Sequence, residues 1–133
     1  MQDRPSANEL LEAIADFLIK DVMPAVKNDD LLSYKTLVSW NMLGVIGREI
    51  KLGEINLKKE LTRLSTTLGT SVSLESKTYL EIQEMTRELN QVLSKKIQSE
   101  KISIEDKKIW EAVKETLREK LEISNPKFLS GKE

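Results

Sequence analysis

Asn41 and Arg48 are the two polar side chains whose spacing suggests chemistry. They stand seven residues apart in an otherwise apolar stretch, so on a helix they lie two turns apart on one face. A guanidinium offers a planar fork of donors that suits a phosphate or a carboxylate. An amide adds one donor and one acceptor beside it. Two readings stay open: a pocket between helices for an acidic ligand, or a polar core in which Arg48 pairs with a glutamate or with backbone carbonyls.

The rest of the composition points away from catalysis. The chain has no cysteine and no histidine, so thiolate nucleophiles, disulfides, imidazole proton shuttles and the usual nitrogen and sulfur metal ligands are all missing. No metal site, no cofactor and no catalytic residue is expected. Gly44 and Gly47 lie in the middle of a helical pattern with no strand before them, so they form no phosphate cradle. Glu81, Glu84 and Glu88 fall on the polar side of a helix, where Arg87 relieves the repulsion between Glu84 and Glu88. Their expected role is solubility.

The elements that carry these residues read as helices. Ser6 and Glu9 have the spacing of a capping box, and Leu10, Ile14, Phe17, Leu18 and Val22 then repeat at helical intervals until Pro24 ends or kinks the helix. Asp30 is placed to cap a second helix that runs to about Leu52, where Gly53 stops it. A short third helix follows through Ile55, Leu57, Leu61, Leu64 and Leu68, and Gly69 ends it. Thr70 to Ser76 read as a loop and as the most mobile internal segment. From Lys77 a long helix carries Tyr79, Ile82, Met85, Leu89, Val92 or Leu93, and Ile97. Ser103 and Asp106 have N-cap and N3 spacing for a last helix with Ile109, Val113, Leu117 and Leu121 on one stripe. No segment alternates like a strand. The expected fold is all-α: a bundle of four main helices plus one short helix, forming a single domain over residues 1–133.

The second helix is apolar nearly all the way round. Tyr34, Leu37, Val38, Val45 and Leu52 mark one face, Leu43, Ile46 and Ile50 roughly the other, with Trp40 and Met42 between. Such a helix is either central to its own bundle or shared with a partner. Trp40, Leu43 and Ile46 are therefore candidate interface residues. Asp3 and Arg4, just before the first helix, offer a charged handle, and Arg4 has the alternative of docking on Asp3 or a helix end. At the other end Asn125 turns the chain and Pro126 holds it extended, so Phe128 and Leu129 are expected to bury against the first helix as a clasp, or against another protein.

With 133 residues, 21 basic and 22 acidic side chains and a net charge of −1, the chain has no electrostatic footprint for nucleic acid or a membrane surface. Asp3 and Glu9 interrupt any signal-peptide pattern, and no apolar run approaches the roughly 20 residues of a membrane span. A cytoplasmic protein is the expectation.

Met1-Gln2-Asp3-Arg4-Pro5, Glu9-Leu10-Leu11, Phe17-Leu18, Val38, Asn41, Leu43, Arg48-Glu49, Lys120-Leu121 and Ser124-Asn125-Pro126-Lys127-Phe128-Leu129 together resemble a bacterial family of small helical proteins. Its members are encoded beside, or fused to, aminoglycoside-phosphotransferase-like kinases and acyl-CoA dehydrogenases. The resemblance touches both ends and the central helix. It implies an accessory subunit of a kinase that phosphorylates hydroxyacyl-CoA thioesters during hydroxy-acid breakdown, the phosphate being eliminated later by a dehydrogenase-like enzyme. The residues it implicates are Asp3, Arg4, Pro5, Asn41, Arg48, Glu49, Asn125 and Pro126. The chain departs from the pattern at Leu37, where an arginine is usual, and at Ile97-Gln98-Ser99-Glu100, where the family has Ile-Arg-x-Gly. Three readings follow: a non-catalytic subunit that stimulates a phosphotransferase-like kinase and acts beside acyl-CoA dehydrogenase pathway proteins; a ligand-binding module for an acidic metabolite or CoA thioester, using Asn41, Arg48, Glu49 and Asn125; and a structural homodimer sharing the second helix.

Overall fold

A computed structural model describes residues 3–100, 102–103 and 106–131. The fold is all-α, and no strand occurs among the described residues. The helices are α1 (Ala7–Phe17), α2 (Met23–Ala25), α3 (Asp30–Leu68), α4 (Tyr79–Ser99), α5 (Lys107–Ser124) and α6 (Pro126–Leu129). Four of them are long, as the periodicity predicts. The chain divides into two compact units, residues 1–51 and 52–133, and α3 contributes its first part to one and its second part to the other.

The helix starts follow local chemistry. Ser6 accepts from the Glu9 N–H while Glu9 accepts from the Ser6 N–H, the reciprocal box expected there. Thr78 and Glu81 form a second box, which starts the long helix at Tyr79, two residues later than its pattern suggests. At α3 the capping oxygen belongs to Asp29, which accepts from the Leu32 N–H at 2.9 Å, and Asp30 is already helical. At α5 the cap is Asp106, accepting from the Ile109 N–H at 3.3 Å, one turn later than the Ser103 reading. Ser103 instead offers its carbonyl, which accepts from the Trp110 indole N–H at 2.9 Å.

Two expected breaks turn out differently. Gly53 does not stop the second helix, and the expected second and third helices are one helix of 39 residues. A mid-helix glycine costs only about 1 kcal/mol relative to alanine, which flanking turns absorb. Pro24 does not end α1 at once. A π-helical turn, Leu18–Val22, comes before it, and the helical path continues to Ala25. The wider turn suits a position where proline removes one donor and crowds the preceding carbonyls. Gly69, by contrast, does stop α3. It has φ +70°, and the Thr70 N–H donates to the Ser65 carbonyl at 2.9 Å.

In the unit 1–51, α1 packs on the first part of α3 through a contact that combines two leucines with small and polar residues. Asn8, Leu11 and Ala15 of α1 meet Leu43, Gly44 and Gly47 of α3 around a cleft of about 140 Å³. Lys51 Nζ reaches Glu12 Oε1 at 3.4 Å. Of the apolar stripe, Leu10, Ile14 and Phe17 are exposed, while Leu18 and Val22 are half-buried. Periodicity locates a stripe but says nothing about which neighbour covers it.

In the unit 52–133, the second part of α3 packs with α4 and α5. Leu64, Leu93 and Ile109 form the buried cluster, with Leu68, Leu89, Ile97, Ile102 and Val113 against it. Leu61 and Ile82 are fully covered. Leu93, not Val92, is the core residue of its turn, while Tyr79, Leu117 and Ile55 are exposed despite their stripes. Pro126 does not hold the chain extended as expected. Residues 126–129 make one helical turn, and Phe128 is 70% exposed.

Candidate functional site

The unit 1–51 carries the residues singled out by spacing, and they do not share one pocket. Arg48 is half-buried and lines the α1–α3 cleft, where its Nη1 lies 3.2 Å from the point a Cβ on Gly44 would occupy. The missing side chain of Gly44 is therefore filled by the guanidinium, a role for that glycine within the fold. Gly47 faces Asn8, whose Oδ1 lies 3.6 Å from the equivalent point. That oxygen is buried and has no hydrogen-bond partner among the described residues. Asn41 is exposed, and its amide donates to the Leu37 carbonyl of its own helix at 3.1 Å. Glu49, Asp3 and Arg4 are exposed. Asn125 joins two helices through its backbone: its N–H donates to the Leu121 carbonyl at 2.8 Å, and its carbonyl accepts from the Phe128 N–H at 3.1 Å.

Of the expected interface residues, Leu43 is half-buried in the cleft. Trp40, Ile46 and Phe128 are exposed, and they belong to a larger set. Tyr34, Val38, Met42, Ile46 and Ile50 recur every four residues along α3, and all five are exposed. Leu43, Gly44 and Gly47 of α3 line the contact with α1, and the five large apolar side chains of the row are left outside it.

The unit 52–133 contains a polar network that spacing did not reveal. Glu60 is buried, and its Oε1 accepts from Asn90 Nδ2 at 2.8 Å and from Lys120 Nζ at 3.0 Å. Arg63 donates to Thr116 Oγ1 at 2.7 Å and to Glu119 Oε2 at 2.8 Å. Each charge meets an opposite charge or a hydroxyl, which is what burial demands. The only signal in the sequence was position: Glu60 and Arg63 sit among Leu57, Leu61 and Leu64 on the edge of a core stripe. An open groove of about 660 Å³ runs beside the network, lined among others by Lys58, Lys59, Thr66, Lys108, Glu111 and Glu115.

The surface carboxylates are held by neighbours. Arg87 donates to both oxygens of Glu84, at 2.9 and 2.5 Å, and holds that carboxyl below its ordinary pKa while its own is raised. Arg118 does the same to Glu115. Glu81 is lowered by the Thr78 N–H and hydroxyl. These arrangements keep carboxylates ionised, the opposite of what a general acid needs. No group of three or more candidate metal-ligating side chains lies among the described residues, and no described helix is long and apolar enough to cross a membrane.

Residues 24–128 match the profile of a family described as a domain of unknown function, DUF6285. No curated protein and no solved structure matches the chain.

Proposed function

The chain belongs to the DUF6285 family, and we propose that it works as a non-catalytic accessory subunit that binds and stimulates a phosphotransferase-like kinase acting on hydroxyacyl-CoA or a related small molecule. One observation carries this reading. Leu10, Phe17, Phe128 and Leu129 stand in the two end motifs that resemble the kinase-associated family, and all four are exposed, at 44%, 56%, 70% and 41%. Large apolar side chains in those positions contribute little to the core of their own chain. On a partner they would supply the buried anchors of an interface. A subunit docked in this way accelerates a reaction by ordering the acceptor site, with no reacting group of its own.

The test is turnover of a phosphotransferase-like kinase, with and without this chain, on a panel of hydroxyacyl-CoA thioesters. Co-purification with a rise in rate is expected, and Phe17→Glu or Phe128→Glu should abolish both while leaving far-UV circular dichroism unchanged. Absence of binding and of any rate change would overturn the reading.

A ligand-binding role finds support in the groove between α3 and α5, not at Asn41 and Arg48. Lys58, Lys59, Arg63 and Lys108 line that groove together with the carboxylates of Glu111 and Glu115, and Lys58 pairs with Glu54. The remaining excess of cations suits an anionic ligand such as a CoA thioester. Calorimetric titration with free CoA, compared with a Lys59→Glu, Lys108→Glu variant, tests it; identical heats from both proteins would remove it.

A further inference from the structure

A cavity of about 170 Å³ lies between α4, α5 and the second part of α3. It is distinct from the open groove: Asn90, Leu93 and Lys120 line it, and Lys58, Lys59 and Lys108 do not. Leu64 and Leu93, both buried, give it an apolar wall together with Val113. Arg63, Thr116 and Lys120 give it a polar one. The two cations face the cavity and their carboxylate partners do not. Glu119 accepts from Arg63 at 2.8 Å and Glu60 accepts from Lys120 at 3.0 Å, yet neither carboxylate is among the lining residues. Both carboxylates are 7% exposed. They sit behind the cations and fix their positions. Even with the bond from Arg63 to Thr116, the guanidinium and the ammonium keep further N–H groups to donate.

Thr116 adds a hydroxyl. Thr36, Thr62, Thr66, Thr67 and Thr86 each turn theirs back on the carbonyl four residues earlier. Thr116 makes no such bond among the described residues. Its oxygen accepts from Arg63 at 2.7 Å, which leaves its O–H to donate. Asn90 spends both amide N–H groups on Glu60 and on the Thr86 carbonyl.

We propose that this cavity is a binding site for a small aliphatic carboxylic acid. The carboxylate accepts from Arg63, Thr116 and Lys120, and the hydrocarbon chain lies against Leu64, Leu93 and Val113. Lys120, with 58% of its side chain exposed, stands at the mouth, and Arg63, with 19%, stands deeper. Apolar walls with a few convergent polar groups are the usual make-up of a ligand site. Charge complementarity selects the ligand, because what the cavity presents is two cations and a hydroxyl donor. With Glu60 and Glu119 close behind them, one negative charge suits the site better than the two of a phosphate monoester. Stability alone does not call for these charges, since an apolar pair of similar volume serves a core as well. A cleft of about 290 Å³ adjoins the cavity past Leu93 and Val113, which gives a longer chain room. The site is independent of the kinase reading, whose docking residues lie on α1 and α6, and of the CoA reading, which uses the open groove.

Titration of the full chain with butyrate, followed by amide NMR, tests the proposal, with butanol, chloride and inorganic phosphate as controls. Saturable shifts are expected around Asn90, Leu93, Val113 and Thr116 with butyrate, and tighter binding with hexanoate than with acetate. No saturable shift with any acid would overturn the proposal, and so would an equal response to chloride or butanol. Phosphate binding as tightly as butyrate would overturn the choice of a carboxylate. Lys120→Met should weaken butyrate by about ten-fold, the loss of one charge-assisted hydrogen bond. Helicity should hold, because Lys120 is exposed and Glu60 keeps Asn90. Thr116→Val should weaken it too, while Thr116→Ser, which keeps the hydroxyl, should bind like the native chain. Undiminished binding by Lys120→Met, or equal loss in both Thr116 variants, would overturn the placement of the carboxylate. The Lys59→Glu, Lys108→Glu variant should bind butyrate like the native chain. A loss there would move the anion to the open groove and overturn the assignment to this cavity.

Discussion

Arg63 and Glu119, far apart in the chain, form an ion pair with Nη2 2.8 Å from Oε2 and side-chain exposures of only 19% and 7%. The same guanidinium holds Thr116 at 2.7 Å. Charges buried together in this way are costly to separate, because removing one leaves the other desolvated and unpaired.

Arg63→Met should therefore destabilise the protein by about 3 kcal/mol, the lower part of the range for a broken buried pair. Adding Glu119→Leu should recover most of that loss, since an apolar pair of similar volume leaves no orphaned charge. Urea unfolding of the single and double variants measures the coupling. Equal stability of the two would show that the pair does not act as a unit.

The pH dependence has a predictable sign at the start of α4. Glu81 is held below the ordinary carboxylate pKa, first by the Thr78 N–H and then by its hydroxyl. A carboxyl with a lowered folded pKa contributes stability above its unfolded value and loses it as pH falls through the folded one. Unfolding midpoints should thus decline below the ordinary carboxylate range. Glu81→Gln should flatten part of that decline and shift nothing at neutral pH beyond the constant loss of the charged cap. A variant with the native acid slope would refute this.

Gly47→Ala should stabilise the unit 1–51. The added methyl would meet Asn8 Oδ1 at 3.6 Å, ordinary contact, and alanine gains up to about 1 kcal/mol in helix propensity. Gly44→Ala meets Arg48 Nη1 at 3.2 Å, so part of the same gain is spent moving the guanidinium. The expected order of thermal midpoints is Gly47→Ala, then Gly44→Ala, and a reversal would show that the Asn8 contact is tighter than it measures.

Core and surface leucines should differ sharply although the sequence presents them alike. Leu61 has no exposure and Leu10 has 44%. Leu61→Ala is expected to cost about 3 kcal/mol through lost burial and a cavity, whereas Leu10→Ala should stay within about 0.5 kcal/mol. Denaturant titration separates the two, and a large loss at Leu10 would count against its being a docking residue.

The sequence by itself determined the helices and several of their ends, because those depend on interactions within a few residues. Ser6 with Glu9 and Gly69 act over one turn, and each works as its spacing says. The all-α class followed from the same local periodicity. Partners of the helices were another matter. Ile82 and Leu10 stand on equally regular stripes, yet one is buried and the other is not, since burial depends on which element arrives from far along the chain. Gly53 shows the reverse failure, a local stop signal overridden inside a long helix. Asn41 and Arg48 share a face in projection but not a pocket, because one bonds to its own backbone and the other turns into a cleft that α1 creates. The Glu60 and Arg63 network needed three helices to exist at all. Its partners lie 30 to 60 positions apart, and only tertiary packing excludes the water that would otherwise solvate Glu60 and Glu119.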